Sequence, residues 1–544
     1  MAHQVAVFAL LCALCNAISI PAPFEISSRA TSESYAPYKV QCPFIKPQVR
    51  SANSLGPRES AYVAQRQTLA DQNLKSWLDK ALSGSTATGG CKLPRVALAL
   101  SGGGPKAGLT TAGVVQAFDS RDTSNGVGGL LQGMTYVSAL SGGSLTLSGM
   151  MVNNFARISD LKTKLYNINY QNPYQLPIVN ADQIKADMNS KFNAGFRATT
   201  VDAYGRAISY DFIGGTQGGN ALTWSNVTTL SAFKSHEIPY PIITLTDTNV
   251  PQGECFPSPT NPIWEVGPYE FGSWDQDVNA FYPTEYLGTP APTRWFFWQK
   301  SSCINGFDNA GLITGISSDT FVSGNTCARN GTVKPLAGLG QVVNDVFGGP
   351  NLESSPYGIV PNPFYHSKRA GKVNERQDLY MQDGGYTGQG IPIFPFIQPE
   401  RQVDVIFVID ATSSAPTNVT NGASIYRTYV SANSTGLTAM PVIPTPEVFA
   451  AQNLSSRAQF FGCHDKKVST LIYVPNTYES GISSSSYFFT PEQLEYTFQG
   501  GVSMATQANN TEWPACVACA VLHKTSNNLP AVCNGCLDKY CWTG

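Results

Sequence analysis

Arg95-Val-Ala-Leu-Ala-Leu100 runs without a polar interruption into Ser101-Gly-Gly-Gly104, and this stretch decides the fold. An unbroken apolar run with no alternation reads as a strand covered on both faces, the kind found in the middle of a parallel sheet. Three glycines at its end leave backbone N–H groups uncovered by side chains and able to approach an anion closely. Leu109 to Phe118 has helical spacing, and Met134 to Leu140 reads as a second short strand that stops at Ser141. Strand, Gly-rich turn, helix, then strand and turn again is the rhythm of an α/β sheet with helices on both faces. Upstream, Tyr38 to Arg50 is extended and Ser60 to Leu82 has the apolar period of a helix, with a loop over Gly84 to Gly90. Downstream, Val403-Asp-Val-Ile-Phe-Val-Ile-Asp410 is the clearest late strand. Residues 171–375 have no clear period and are expected to form a cap inserted into the α/β core. No repeat or linker marks a boundary, so one domain is expected over 35–544, ending in a Cys-rich segment at 516–544.

The 544 residues are 42% hydrophobic, enough for a large core, and only 13% charged, with a formal net charge of −2. No basic stripe is present to neutralise phosphates, which excludes a nucleic-acid binder. Val5 to Cys15 is an apolar run too short to span a bilayer, followed by small residues at Cys15-Asn16-Ala17. This is the pattern of a cleaved secretory signal over residues 1–19. No later segment has the roughly 20 apolar residues of a membrane span, and the chain ends CWTG without a hydrophobic tail.

Secretion makes sense of the cysteines and sequons. Beyond the signal stand Cys42, Cys91, Cys255, Cys303, Cys327, Cys463, Cys516, Cys519, Cys533, Cys536 and Cys541. The Cys516-Val-Ala-Cys519 and Cys533-Asn-Gly-Cys536 spacing fits zinc or disulfides, and an oxidising compartment favours disulfides. The number is odd, so at least one thiol is expected to be free or to pair between chains. Asn226, Asn330, Asn418, Asn433, Asn453 and Asn509 each open an Asn-X-Ser/Thr triplet, a potential surface glycan site.

Three segments carry chemistry together. Ser101-Gly-Gly-Gly104 offers the amides of Gly103 and Gly104 to an oxyanion. Ala139-Leu-Ser-Gly-Gly143 is the strand-turn-helix setting of a nucleophilic serine, with Ala where G-x-S-x-G has Gly. Gln382-Asp-Gly-Gly385 puts an Asp on a Gly-rich bend, where it can accept the Ser141 proton. Beyond the signal, histidine occurs only as His236, His366, His464 and His523, none in a Gly-rich motif, which favours a Ser141–Asp383 dyad over a triad. An ordinary Asp, with a pKa of about 3.9, stays ionised in mild acid, so activity below about pH 6 is expected.

In these motifs the sequence resembles the fungal secreted lysophospholipase/phospholipase B family, related to the cytosolic phospholipase A catalytic domain and to patatins. The resemblance extends through Tyr35-Ala-Pro with Cys42-Pro, Gly128-Gly-Leu-Leu-Gln132, Trp264-Glu-Val-Gly-Pro-Tyr-Glu-Phe-Gly-Ser-Trp274 and Tyr286-Leu-Gly288. It continues through Gly306-Phe-Asp-Asn-Ala-Gly311, Asp383-Gly-Gly385 with Gly388-Gln389 and Ile391-Pro392, and the Cys516 to Trp542 tail. It implies a patatin-type α/β hydrolase with a cap and no metal or other cofactor. Ser141 is then the nucleophile, Asp383 the base, and Gly103 and Gly104 the oxyanion hole. Lys106 stands where the family usually has Arg, and is expected to hold the substrate phosphate. Pro105 replaces a usual aromatic and Ala139 a usual Gly. The implied activity is hydrolysis of fatty acyl esters of lysophospholipids or phospholipids, at a micelle or membrane surface, through an acyl-enzyme. The departures keep open a carboxylesterase or acyltransferase acting on a non-phospholipid ester, and a glycoprotein that kept the fold without activity.

Overall fold

The computed structural model describes residues 34–83, 92–166, 180–249, 261–290, 302–322, 338–412, 419–478 and 481–544, apart from 485, 487, 488 and 527. Its frame is a 12-stranded mixed sheet. The strands in chain order are β1 (Tyr38–Gln41), β2 (Arg50–Ser51), β3 (Val96–Leu100), β4 (Tyr136–Ala139), β5 (Tyr240–Thr248), β6 (Ile263–Val266) and β7 (Glu270–Ser273). Then come β8 (Ala280–Pro283), β9 (Ser302–Asn305), β10 (Gly358–Pro361), β11 (Asp378–Gln382), β12 (Val405–Asp410), β13 (Gln459–Phe461) and β14 (Thr470–Pro475). Across the sheet the order is β13-β14-β12-β3-β4-β5-β6-β7-β8-β2, with β11 and β10 joined at β5.

The half from β14 to β5 is parallel and its strands are buried, as the unbroken apolar runs of β3 and β12 require. From β5 to β2 the sheet turns antiparallel. Those strands come largely from the 171–375 stretch. That stretch is therefore not a cap set on a finished core: β5 to β8 extend the central sheet itself, and β10 and β11 add to it. The Ser60–Leu82 period appears as helix α1 (Pro57–Ala81). The helix expected from Leu109 begins earlier, as α2 (Gly104–Phe118), immediately after the Gly-rich turn. The loop expected over Gly84 to Gly90 lies outside the described residues. No helix among the described residues is long and apolar enough to cross a membrane.

Two buried arginines fasten α1 to the sheet. Arg66 donates to the carbonyls of Gln132 (2.7 Å) and Met134 (2.7 and 2.8 Å), just ahead of β4, and to that of Glu237 (2.8 Å), ahead of β5. Arg401, just before β12, donates to Glu59 of α1 at 2.9 Å and forks onto both Glu265 carboxylate oxygens of β6 at 2.9 and 2.7 Å. All three side chains are buried, so removing the cation strands two carboxylates away from water. Arg401→Ala is expected to lower the unfolding free energy by about 3–5 kcal/mol in urea titration. Arg401→Lys should recover only part of that loss, because a single ammonium cannot reproduce the fork.

Candidate active site

The end of β4 sets Ser141. Leu140 N–H still bonds Leu100 O of β3 at 3.2 Å, and the chain then bends at Ser141, with φ 52° and ψ −122°, into helix α3 (Gly142–Val152). A non-glycine residue in that region costs on the order of 1–3 kcal/mol and persists only where its surroundings over-determine it. They do so here. Ser141 N–H donates to Ser317 Oγ at 3.0 Å, Ser317 Oγ donates to Thr244 O of β5 at 3.0 Å, and Ser144 N–H and Oγ both bond Ser141 O. Ser317 was invisible in the sequence because it lies in an ordinary helix, Ala310–Ser318, distant along the chain.

The glycine turn after β3 lies against this bend. Gly103 and Gly104 have φ of 127° and 68°, open to glycine alone at little cost, and Gly102 N–H is anchored on Gly390 O at 2.9 Å. A Cβ on Gly142 would lie 2.1 Å from Gly104 O, so the two turns touch backbone to backbone. The amides of Gly103 and Gly104 stand at the N-terminus of α2, where N–H groups have no intrahelical acceptor. The N-terminus of α3 opens beside them, so both positive helix ends favour a developing oxyanion.

The registers explain how Asp383 arrives. Thr246 of β5 faces Ile263 of β6 on one edge and Gln382 of β11 on the other. The same edge that carries β11 carries β4, whose last residue, Ala139, faces Ile243. The C-terminal ends of β4 and β11 therefore meet head to head along β5, and the residues that follow them, Ser141 and Asp383, converge. The Asp383 carboxylate accepts the Gly385 N–H at 2.7 Å and lines the same cavity as Ser141, whose hydroxyl favours its charged form.

Burial pushes the Asp383 carboxyl up from 3.8 to about 7, against the smaller lowering by the Ser141 hydroxyl and the Gly385 N–H. Asp319, at the end of the Ala310–Ser318 helix, accepts Asp383 N–H on Oδ1 at 3.3 Å. Its Oδ2 is buried with no hydrogen-bond partner among the described residues. Burial, and then the neighbouring Asp383 charge, raise the Asp319 carboxyl well above its ordinary value. Nothing in the local sequence signals this second acid.

Ser141, Asp383, Gly103 and Gly104 line one cavity of about 340 Å³, with Pro105, Leu145, Tyr204 and a ring of hydroxyl side chains. Lys106 does not: the first turn of α2 directs Pro105 to the cavity and buries Lys106 at 2% exposure, off the described lining. This differs from the phosphate-holding place expected of it. None of the four histidines is on the lining either. His236 packs on Tyr62, His366 on Tyr365, and His464 on His523.

Eight cysteines pair as Cys42–Cys303, Cys463–Cys541, Cys516–Cys536 and Cys519–Cys533, so the two Cys-x-x-Cys pairs are cross-linked to each other. Cys91, Cys255 and Cys327 lie outside the described residues. One cluster of possible metal ligands occurs among the described residues, Cys463, His464 and Cys541, and its two sulfurs are already bonded to one another. Asn433, Asn453 and Asn509 are exposed and Asn226 half-buried, while Asn330 and Asn418 lie outside the described residues.

Residues 96–544 match the lysophospholipase catalytic domain family. The chain belongs to that family. Lysophospholipase 3 of Aspergillus fumigatus is 33% identical to it over 588 residues, spanning 97% of this chain and 91% of its own length. A lysophospholipase of Penicillium chrysogenum is 34% identical over 567 residues, spanning 94% and 90%. Among solved structures, human GIVD cytosolic phospholipase A2 superimposes with a TM-score of 0.65 at 15% identity, covering 90% of this chain and 72% of that one. The fold is thus patatin-like, of the cytosolic phospholipase A2 type, and this lysophospholipase is a carboxylic ester hydrolase of the phospholipase B class.

The buried carboxyl has consequences in both activity and stability. A base that titrates near 7 loses its function in acid, so burial reverses the expectation of activity below about pH 6. kcat/KM should fall about tenfold per pH unit on the acid side of about 7. Asp383→Asn should lower kcat/KM by about 10²–10⁴-fold. Because the folded pKa lies above the unfolded one, the folded state gains protons between about 4 and 7, and its stability is lost as pH rises through 7. Asp383→Asn should therefore raise Tm at pH 8 and give no such gain at pH 4, measured by calorimetry.

Proposed function

We propose that this lysophospholipase is a secreted serine esterase that works through a Ser141–Asp383 dyad and an acyl-enzyme. One observation carries the reading: Ser141, at a strained bend between two helix N-termini, shares one cavity lining with the buried Asp383 carboxyl. Asp383 takes the hydroxyl proton as Ser141 Oγ attacks the acyl carbonyl carbon, and the amides of Gly103 and Gly104 receive the oxyanion. Collapse of the tetrahedral intermediate expels the glycerol oxygen, which takes the proton from Asp383. Water then loses a proton to Asp383 and attacks the ester carbon of the acyl-enzyme. The fatty acid leaves, and the proton returns to Ser141. Removal of residues 1–19, one catalytic domain over 35–544, glycans at the exposed Asn433, Asn453 and Asn509, and encounter with lipid at a micelle or membrane surface belong to the same reading.

A second reading is a neutral-ester hydrolase. It is favoured by the inward turn of Lys106, which leaves Asp383 as the one charged side chain on the described lining. Fatty acid release from lysophosphatidylcholine and from a monoacylglycerol of equal chain length separates the two. The phospholipid reading expects faster turnover of lysophosphatidylcholine. Ser141→Ala should abolish release from both and remove fluorophosphonate labelling, mapped by peptide mass spectrometry, while Tm stays close to wild type. Labelling that persists in Ser141→Ala would overturn the dyad.

A further inference from the structure

Lys106 is buried off the described lining, and the cavity wall leads to another cation. Gly102, whose Cβ position lies 2.8 Å from Ser141 Cβ, is bonded through its N–H to Gly390 O. Ser424, near the start of the Ala423–Ser434 helix, also lines the cavity, its Oγ 2.8 Å from the Cβ position of Gly390. Arg427 lies three residues further on, hence on the same helix face. Its stem crosses Gly388, a lining residue, with Cγ, Cδ and Nε at 3.3, 3.6 and 3.7 Å from the Cβ position there. The wall thus runs from Ser141 through Gly102, Gly390 and Ser424 to Gly388, against which the exposed Arg427 packs.

Arg427 is exposed, and its guanidinium makes no hydrogen bond or ion pair with any described residue. Other arginines of the molecule are spent: Arg197 on Glu353, Arg376 on Asp247, Arg401 on two glutamates. A guanidinium presents a planar fork that matches two phosphate oxygens, and here its donors are uncommitted.

We propose that Arg427 binds the phosphodiester of a lysophospholipid at the cavity mouth and so selects phosphate-bearing acyl esters over neutral ones. The assignment rests on the esterase reading of Ser141. With the acyl carbonyl at Ser141 and the Gly103 and Gly104 amides, the glycerol follows the Gly390–Gly388 wall and the phosphate meets the fork. The contact is to the phosphate, which choline, ethanolamine and inositol lysophospholipids share.

The test measures kcat/KM on lysophosphatidylcholine and on the monoacylglycerol of the same chain, both supplied as monomers below micelle formation, so that surface charge plays no part. Arg427→Ala should lower kcat/KM on lysophosphatidylcholine about tenfold or more, mainly through KM, which is the scale of one charge-assisted contact. Arg427→Glu should lower it further and Arg427→Lys should restore part, while the monoacylglycerol changes by less than about twofold. Equal losses on both esters, or no loss on lysophosphatidylcholine with wild type active, would overturn the Arg427 assignment and leave the esterase standing. A wild type that releases fatty acid from neither ester would defeat the esterase reading itself.

Discussion

Two strand-to-helix turns pressed together without side chains between them set the terms for everything else in the molecule. Gly142 meets the Gly104 carbonyl so closely that a single methyl group would part them. That contact makes the N-termini of α2 and α3 neighbours, places unspent amides beside Ser141, and fixes how far β3 and β4 can run before they must end. The bend at Ser141 stores backbone strain, and the hydroxyl of Ser317 links it to β5, so the sheet itself holds Ser141 in place.

Along β5 the parallel and antiparallel halves of the sheet meet, and the base enters from the antiparallel side. The Asp383 carboxyl is buried where the strand ends meet, and a second buried acid, Asp319, lies beside it. Such a pair is poor for stability at neutral pH and good for proton transfer, since a base near the working pH can both take and return a proton.

The parallel core was legible because a strand buried on both faces leaves an unbroken apolar run, as Val96–Leu100 and Val405–Asp410 do. The turns were legible because positive φ and backbone contact demand glycine. The antiparallel extension was not, because β6, β7 and β8 have four residues each, too few for a period to show, and depend on pairing with distant strands. Lys106 follows Pro105 by about 100° around α2, and it is buried off the described cavity lining while Pro105 is on it. Ser317, Asp319 and Arg427 carry no motif, and only the packing of their helices brings them to the site.

The position of β12 bears on how the chain comes into being. It lies between β14 and β3 at the heart of the sheet, yet it follows nearly all the other strands in sequence. While the chain is being made, β3 waits with one apolar edge unpaired through the synthesis of everything up to Val405, an open template for any other strand it meets. Closure across so long a separation is slow and exposed to misassembly. A chain cut short before β12 keeps β3, β4 and β5 around the Ser141 turn but leaves β3 with an open edge.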